Sequence, residues 1–274
     1  QRQYFDDFVN EWEMVDSAGF SLPHPADSIG SPNPPHPLFE IQHLSKGHNV
    51  LNINNIDGFV HNEWTFNTKN ADILTLSLGI RANYWGYNNE VNISPRAGLA
   101  YKPSWNNDML FRLSGGVYVQ PPFYRELRMF DGSLVKPENA TTQKSYQVVL
   151  THEYNFIAWD RPFVLTSELY YKYLKDIIPY EVDNIRIRYY ADQKATGYAT
   201  GLDVRVNGEF VKGIDSWASV SIMKSAENIK YYLSPTGNIL SQTQIDNGAE
   251  YVCDTIIRGI PRPSDQRINF SLFF

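Results

Sequence analysis

Apolar and polar residues alternate one by one over long stretches of this chain, and this two-residue period is the feature that most limits its fold. The clearest case runs from 74 to 84, where Leu, Ile, Ala and Tyr take the even positions and Thr, Ser, Gly, Arg and Asn the odd ones. Successive side chains of a β-strand point to opposite faces, so such a segment has one apolar and one polar face. Clear or weaker alternation recurs at 57–66, 92–103, 109–119, 146–156, 163–175, 198–210, 215–226 and 267–274. The sequence therefore predicts an all-β, antiparallel up-and-down meander of about nine strands.

The length of these segments and of their connections narrows the prediction further. Strands of about 10 to 14 residues exceed the usual 5 to 6 and, tilted near 45°, cross a hydrocarbon layer. Short and longer connections are expected to alternate, which gives a sheet with one smooth rim and one elaborated rim. The short ones are 67–71, 104–107, 157–162 and 211–214, and the longer ones are 85–91, 120–142, 176–196 and 227–264. Transmembrane β-barrels sort their loops in this way.

Charged residues of the best strands fall on the polar face, as a bilayer would require, because Arg or Lys at the lipid midplane costs about 2 to 4 kcal/mol. His152 and Lys175 are the exceptions. The predicted polar-face charges are Arg81, Arg96, Arg112, Glu153, Glu168, Asp203, Arg205 and Arg267. The aromatic residues expected to form girdles near strand ends include Tyr84, Trp85, Trp159, Phe163 and Phe210. A soluble sheet with a core beneath its apolar face would show the same alternation, so both alternatives stay open here.

Composition and spacing argue against several classes of function. Asp and Glu number 30 against 24 Lys and Arg, a net charge of -6, so nucleic-acid binding by phosphate neutralisation is not expected. The single Cys253 excludes an internal disulfide framework. His43 and His48 lack a paired carboxylate or Cys in the sequence, so no metal is expected. Glu153 and Glu168 on neighbouring strands superficially resemble a glycosidase pair, but pairing with other charges is favoured, and we expect neither an enzyme nor a cofactor.

Several sequence strings together resemble one family over nearly the whole chain. They are SPRAGLAYKP at 94–103, QPPFYRELR at 120–128, ELYYK at 168–172 with DIIPY at 176–180, GYATGLD at 197–203, PRPSDQR at 261–267 and VDSAGF at 15–20. The chain resembles the β-barrel of TonB-dependent outer-membrane receptors, particularly the Bacteroides-type members. The resemblance implies a 22-stranded barrel in the outer membrane of a Gram-negative bacterium, of which this chain is an internal portion.

The resemblance also implies a division of the chain and a set of partners. Residues 1–274 would be a partial barrel domain without its plug, with 1–56 mostly an extracellular loop and 57–274 barrel strands with long external loops. The implied partners are the plug domain and remaining strands, the TonB complex acting through the plug, membrane lipid or lipopolysaccharide, and a scarce or bulky nutrient. That nutrient could be a siderophore, cobalamin, a peptide or an oligosaccharide.

Two sets of loop residues combine aromatic faces with cationic donors, which suits sugar rings or anionic chelates as well as plain loop packing. The candidate ligand-binding residues are Phe123, Tyr124, Arg125, Arg128, Arg186, Arg188, Tyr189 and Tyr190. The eight polar-face charges are expected to face the lumen and the plug. The alternative function is a soluble or cell-surface β-rich module for glycan binding or adhesion.

Overall fold

The computed structural model describes residues 1–15, 40–68, 70–183, 186–233, 235, 239–240 and 253–274. In these ranges almost all regular structure is β-strand, joined by one short 3-10 turn at Tyr124–Leu127. The strands are β1 (Arg2–Val15), β2 (Glu40–Asn67), β3 (Ile73–Trp85), β4 (Glu90–Lys102), β5 (Asp108–Gln120), β6 (Gln143–Ala158), β7 (Arg161–Ile177), β8 (Tyr180–Asp183), β9 (Arg186–Tyr189), β10 (Ala195–Val211), β11 (Ile214–Leu233), β12 (Ile239–Leu240), β13 (Cys253–Pro261) and β14 (Ile268–Phe273). No helix in the described ranges is long and apolar enough to span a membrane.

The strands form an antiparallel meander, which confirms the predicted fold class. Each strand from β1 to β7 pairs with the next in the chain, β10 follows β7, and β11 follows β10. Strands β12, β13 and β14 all pair with β11, while β8 and β9 form a separate hairpin. Each of the nine predicted strands coincides with an observed one. Within the described residues the sheet does not close on itself, as expected for part of a barrel.

The connections separate into two ends of the sheet. Residues 68–72, 103–107, 159–160 and 212–213 make the short-turn end, whereas 121–142 and 178–194 lie at the opposite, long-loop end. The predicted alternation of lengths is wrong at 86–89, which is as short as the turns at the other end. Strands β3 and β4 extend further into this connection than the sequence pattern indicated, because Trp85 and Glu90 still pair.

The prediction that 1–56 is mostly a loop is corrected by β1 and the first half of β2. These segments pair with each other from Arg2 opposite Asn54 to Val15 opposite Glu40. Strand β3 pairs only with the second half of β2, from Asn55 opposite Trp85 onward, so the β1–β2 hairpin extends beyond the long-loop end. Apolar and charged residues share each face of β1, and this mixing removes the period-two signal on which the prediction relied.

The strand register brings the apolar residues of successive strands together on one face of the sheet. One row crosses nine strands without a polar residue: Trp64, Leu76, Leu99, Leu113, Leu150, Leu169, Leu202, Ile222 and Ile268. Its members from Leu99 onward are 41% to 74% exposed. In the part of the chain that the structure describes, no second layer covers this face. We call it the apolar face, and its opposite the polar face.

A buried apolar cluster lies at the long-loop end, on the polar face. Segment 121–142 folds over this face and buries a cluster whose members are at most 5% exposed. The cluster, which we call the rim core, consists of Ile53, Trp85, Leu127, Val135 and Ala140. Trp85 was predicted to join an interfacial girdle, and this was wrong. As an odd-numbered residue of β3 it lies opposite Asn55 and Glu90 on the polar face, with only 1% of its surface exposed.

Candidate functional site

The backbone of segment 121–142 lies directly on β2, and two glycines permit this close approach. Asn49 Nδ2 donates to the Gly132 carbonyl at 2.8 Å, and Lys46 N donates to the Asp131 carbonyl at 3.0 Å. A Cβ at Gly47 would lie 2.3 Å from the Gly132 oxygen, and Gly132 itself has a φ of +89°, which favours glycine. The segment is therefore fixed to the β1–β2 hairpin by main-chain contact.

A polar cluster holds the other end of segment 121–142 to β4. Thr142 donates from its backbone N and its hydroxyl to the Glu90 carboxylate, at 3.1 and 2.9 Å. Lys144 Nζ lies 3.5 Å from the same carboxylate, and Asn88 Nδ2 donates to the Ala140 carbonyl at 2.8 Å. Because Thr142 is fully buried, these bonds replace the water that its polar groups lose.

Tyr124 connects this segment to β1. Its hydroxyl donates to the Asp7 carboxylate, and its ring stacks on Phe5 with centroids 5.4 Å apart. Arg128 Nη1 lies 3.4 Å from the same carboxylate. Burial, together with the hydrogen bond to Asp7, raises the pKa of Tyr124 to about 12, so the hydroxyl stays protonated at neutral pH.

A cavity of about 430 Å³ opens beside Tyr124, and we call it the rim pocket. Its lining consists of Asp7, Phe8, Val9, Asn10, Glu11, Tyr124, Arg125 and Arg128. Three of the predicted ligand-binding residues therefore meet in one pocket. Phe123 is outside the lining and 66% exposed. Sequence reasoning missed Asp7 and Glu11, and recognising β1 as a strand would have been needed to find them.

The second predicted set lies on the β8–β9 hairpin and the residues after it, where two of its tyrosines pack against neighbours. Tyr190 donates to Glu181 at 2.9 Å and meets Phe130 edge to face at 5.0 Å. Burial and the Glu181 contact raise the pKa of Tyr190 to about 12. Tyr189 lies opposite Tyr180, with ring centroids 5.9 Å apart. Loop packing, the alternative left open by the sequence, describes these tyrosines.

The two arginines of this set lie opposite acidic residues of β8. Arg188 lies opposite Glu181 in the hairpin register. Arg186 lies opposite Asp183, but its side chain is outside the described residues. The structure therefore does not bring this set into the rim pocket.

The polar-face charges share one side of the sheet, and most have local partners. Arg112, Thr151, Glu168 and Asp203 form one row across four strands, in which the Thr151 hydroxyl donates to Glu168 at 3.2 Å. Glu153 lies in the next row, opposite Thr166, which also faces Arg205.

The remaining polar-face arginines have near neighbours. The closest contacts are Arg81 Nη2 to Asp57 Oδ1 at 2.7 Å, Arg267 Nε to Asp265 Oδ2 at 2.7 Å, Arg96 over the Tyr118 ring at 4.4 Å and Arg205 over the Trp217 ring at 4.6 Å. A concavity of about 950 Å³ on this face is lined in part by Arg81, Arg96 and Arg112. The Arg112 side chain makes no ion pair or hydrogen bond within the described residues.

Strand pairing also gives His48 a carboxylate neighbour that the sequence did not reveal. His48 Nε2 lies 2.8 Å from Asp6 Oδ1 across β1 and β2. In the described part of the chain, no group of three His, Cys, Asp and Glu side chains is placed to hold a metal ion. The absence of a metal site stays a prediction.

Comparison with known proteins identifies the family. The family model described as TonB dependent receptor-like, beta-barrel, matches residues 3–266. No curated protein and no solved structure matches the chain significantly. The match spans the rim pocket and the meander up to β13, and it confirms the family indicated by the sequence strings, while the Bacteroides-type assignment stays a prediction. The chain belongs to the TonB-dependent receptor-like β-barrel family, whose members are outer-membrane proteins.

Proposed function

We propose that this chain is part of the wall of a TonB-energised uptake receptor in the outer membrane of a Gram-negative bacterium. The observation that supports this most strongly is the exposed, unbroken apolar row across nine strands. Transfer of such a row from water into acyl chains is favourable, with a free energy of about 25 cal/mol per Å² of apolar surface buried. In this proposal residues 1–274 are a partial barrel domain, the apolar face contacts lipid and the short-turn end faces the periplasm.

The polar face would then line the lumen and contact the plug through which TonB acts. Arg112 is the best placed of the predicted lumenal charges for this contact. It lies in the same row as Glu168 and Asp203, and its guanidinium has no partner among the described residues. A cation beside a concavity is suited to bind an acidic group of another domain.

The rim pocket is the proposed place of first contact with the nutrient. Arg125 lines the rim pocket, and the exposed Phe123 directly precedes Tyr124, another residue of the lining. A guanidinium with an adjacent aromatic face suits an anionic chelate, a peptide carboxylate or a sugar ring. Siderophores, cobalamin, peptides and oligosaccharides all stay within this proposal.

The test uses Arg112→Glu in the full-length receptor, with potassium chloride as the probe. Loss of plug contact should make single receptors in a planar bilayer more conductive to the salt than the wild type. Lys212→Glu, an exposed charge reversal in a short turn, is the matched control and should leave conductance unchanged. Unchanged conductance of the Arg112 variant, with equal barrel stability, would contradict the lumenal role.

Detergent dependence separates this proposal from a soluble or cell-surface glycan-binding module. A receptor wall should aggregate when the full-length protein is moved from detergent into buffer. A binding module should instead stay monodisperse, and that result would contradict the transport proposal.

A further inference from the structure

Glu227, a buried carboxylate, lies on the polar face at the long-loop end of β11. It pairs with Gly197 of β10 and Ile260 of β13, and only 3% of its surface is exposed. Its Oε2 atom has no hydrogen-bond partner within the described residues. Burial of an ionised carboxylate without a full set of hydrogen bonds is costly, so the folded chain is destabilised at this position whenever Glu227 is charged.

The cation beside Glu227 belongs to another segment of the chain. Arg262, in the turn after β13, has its Nε atom 3.8 Å from Glu227 Oε2, and its side chain is 16% exposed. At this separation the two groups attract each other without forming a hydrogen bond. The same guanidinium lies over the ring of Tyr180, 5.5 Å from its centroid, so Arg262 joins β11 to the β8–β9 hairpin.

The other neighbours of Glu227 are apolar, lie on the opposite face or are bonded elsewhere. On β7 and β10 they are Ile177 and Gly197, while Lys224 and Lys230 of β11 lie on the apolar face. The acids of the turn and of β8 already have donors: Asp265 accepts from the Ser225 amide at 2.6 Å and from Arg267 at 2.7 Å, and Glu181 accepts from Tyr190 at 2.9 Å. Arg262 is therefore the charge that acts on Glu227.

Glu227 lies outside the membrane-spanning part of β11 in the proposed orientation. Tyr146, Tyr173 and Tyr198 form a row on the apolar face, and Tyr198 pairs with Ala226. Tyrosines at this level of a barrel mark the boundary between acyl chains and water, and Glu227 is one residue further toward the long loops. Burial raises the pKa of Glu227, although Arg262 offsets part of this effect.

A carboxyl group that binds its proton more tightly when it is buried makes its own burial depend on pH. Glu227 stabilises the contact of Arg262 and Tyr180 with β11 fully below about pH 4.5, the ordinary pKa of its side chain. That stabilisation is lost as the pH rises through the higher pKa of the buried group. Segment 178–194 has a second attachment at the rim core end, where Tyr190 meets Phe130 at 5.0 Å, so loss of the first contact would release one side of it.

We propose that Glu227 is a proton-dependent latch that holds the β8–β9 hairpin and residues 262–265 against β11. Protonation closes the latch, because burial of the neutral carboxyl costs less than burial of the carboxylate. Loss of the proton allows Arg262 and Tyr180 to separate from the strand. The hairpin therefore stays closed against the long-loop end in mildly acidic medium, and this action does not depend on the proposed uptake.

The test measures amide hydrogen exchange of segments 178–194 and 262–265 in the full-length receptor in detergent, corrected for the intrinsic exchange rate. In the wild type both segments should exchange about threefold or more slowly at about pH 5 than at about pH 7.5. Glu227→Gln should exchange at the slow rate at both pH values, because its side chain is uncharged throughout. Asp215→Asn removes an exposed carboxylate from the same strand and, as the control, should keep the wild-type pH dependence.

Arg262→Gln gives a second, independent measurement. Without the guanidinium the buried carboxylate has no counter-charge, so exchange should accelerate more at the higher pH than at the lower one. Three results would overturn the proposal: equal exchange of the wild type at both pH values, a pH dependence that persists in Glu227→Gln, or an effect of Arg262→Gln that is the same at both pH values. The first of these needs no variant, and the protection of the ladder between β6 and β7 shows in each case that the sheet is intact.

Discussion

The paired strands from residue 55 onward, which we call the wall, and segment 121–142 with the residues that it packs against, which we call the rim, use the same apolar side chains in opposite ways. On the apolar face of the wall, Leu150 and Leu169 are 45% and 54% exposed, although strand pairing fixes their backbones. In the rim core, Leu127 is 2% exposed and Val135 is 4% exposed, although both lie in an irregular segment. On the apolar face these leucines are therefore exposed on regular strands, whereas the irregular segment 121–142 buries its own apolar side chains together with Ile53 and Trp85 from the strands beneath it.

This difference teaches where each region obtains its stability. Main-chain hydrogen bonds hold the wall together, and its exposed leucines need an apolar solvent. The rim excludes water with its own side chains and satisfies its irregular backbone with Asn49, Asn88 and Glu90. The following changes test that comparison.

Replacing Trp85 by Ala should have the largest effect, and only at the rim. Removing a fully buried Trp costs about 3 to 5 kcal/mol, because a cavity remains where the ring packed. Amide hydrogen exchange of segment 121–142 should accelerate, while the ladder between β6 and β7 keeps its protection. Trp105→Ala, at a residue 59% exposed in a short turn, is the control and should change neither region. Equal protection of segment 121–142 in the Trp85 variant would contradict the rim core.

An Arg added to the apolar face of β11 should lower the stability of the protein more than an Arg added to the polar face. Val220 lies on the apolar face beside Val204, and Ser221 next to it lies on the polar face beside Asp203. Val220→Arg should destabilise the folded state in lipid by about 2 to 4 kcal/mol. Ser221→Arg carries the same charge and should cost much less, since an acid is its neighbour. Denaturant unfolding in lipid vesicles measures the free energy of unfolding of both variants. An equal decrease in the two variants would contradict the assignment of the faces.

Tyr124→Phe should have the smallest effect, and that effect should depend on pH. Removal of the hydrogen bond to Asp7 should lower the free energy of unfolding by about 1 kcal/mol at neutral pH. Because the folded state raises the pKa of Tyr124 from 10.0 to about 12, it binds the proton more tightly than the unfolded state does. The stabilisation is therefore complete below about pH 10 and is lost as the pH rises through about 12.

The measurement is the difference in unfolding midpoint between wild type and Tyr124→Phe across that pH range. It should shrink toward zero at the alkaline end. The absence of any difference at every pH would mean that Tyr124 acts through ring packing on Phe5, which Phe preserves, and not through its hydroxyl.

The wall was predictable because its physical signal is local. A strand with one apolar face shows the two-residue period in its own sequence, so all nine predicted strands were found. The shared face of Arg112, Glu168 and Asp203 followed from the same parity, and the register agrees with it.

The rim was harder to predict because its contacts join residues far apart in the chain. Tyr124, Arg125 and Arg128 were identified by residue type, whereas Asp7 and Glu11 come from a strand whose two faces are both mixed. Trp85 was assigned to the wrong environment because its burial depends on segment 121–142, which no local pattern places over it.

The sequence by itself determined the nine predicted strands, their faces and the family, because alternation and motif strings are properties of neighbouring residues. Only the tertiary structure decided that the β1–β2 hairpin extends beyond the other strands and that segment 121–142 folds back against it. The reason is that a pocket or a buried core forms only where segments distant in the chain come into contact. Such long-range contacts leave no pattern within any single segment of the sequence.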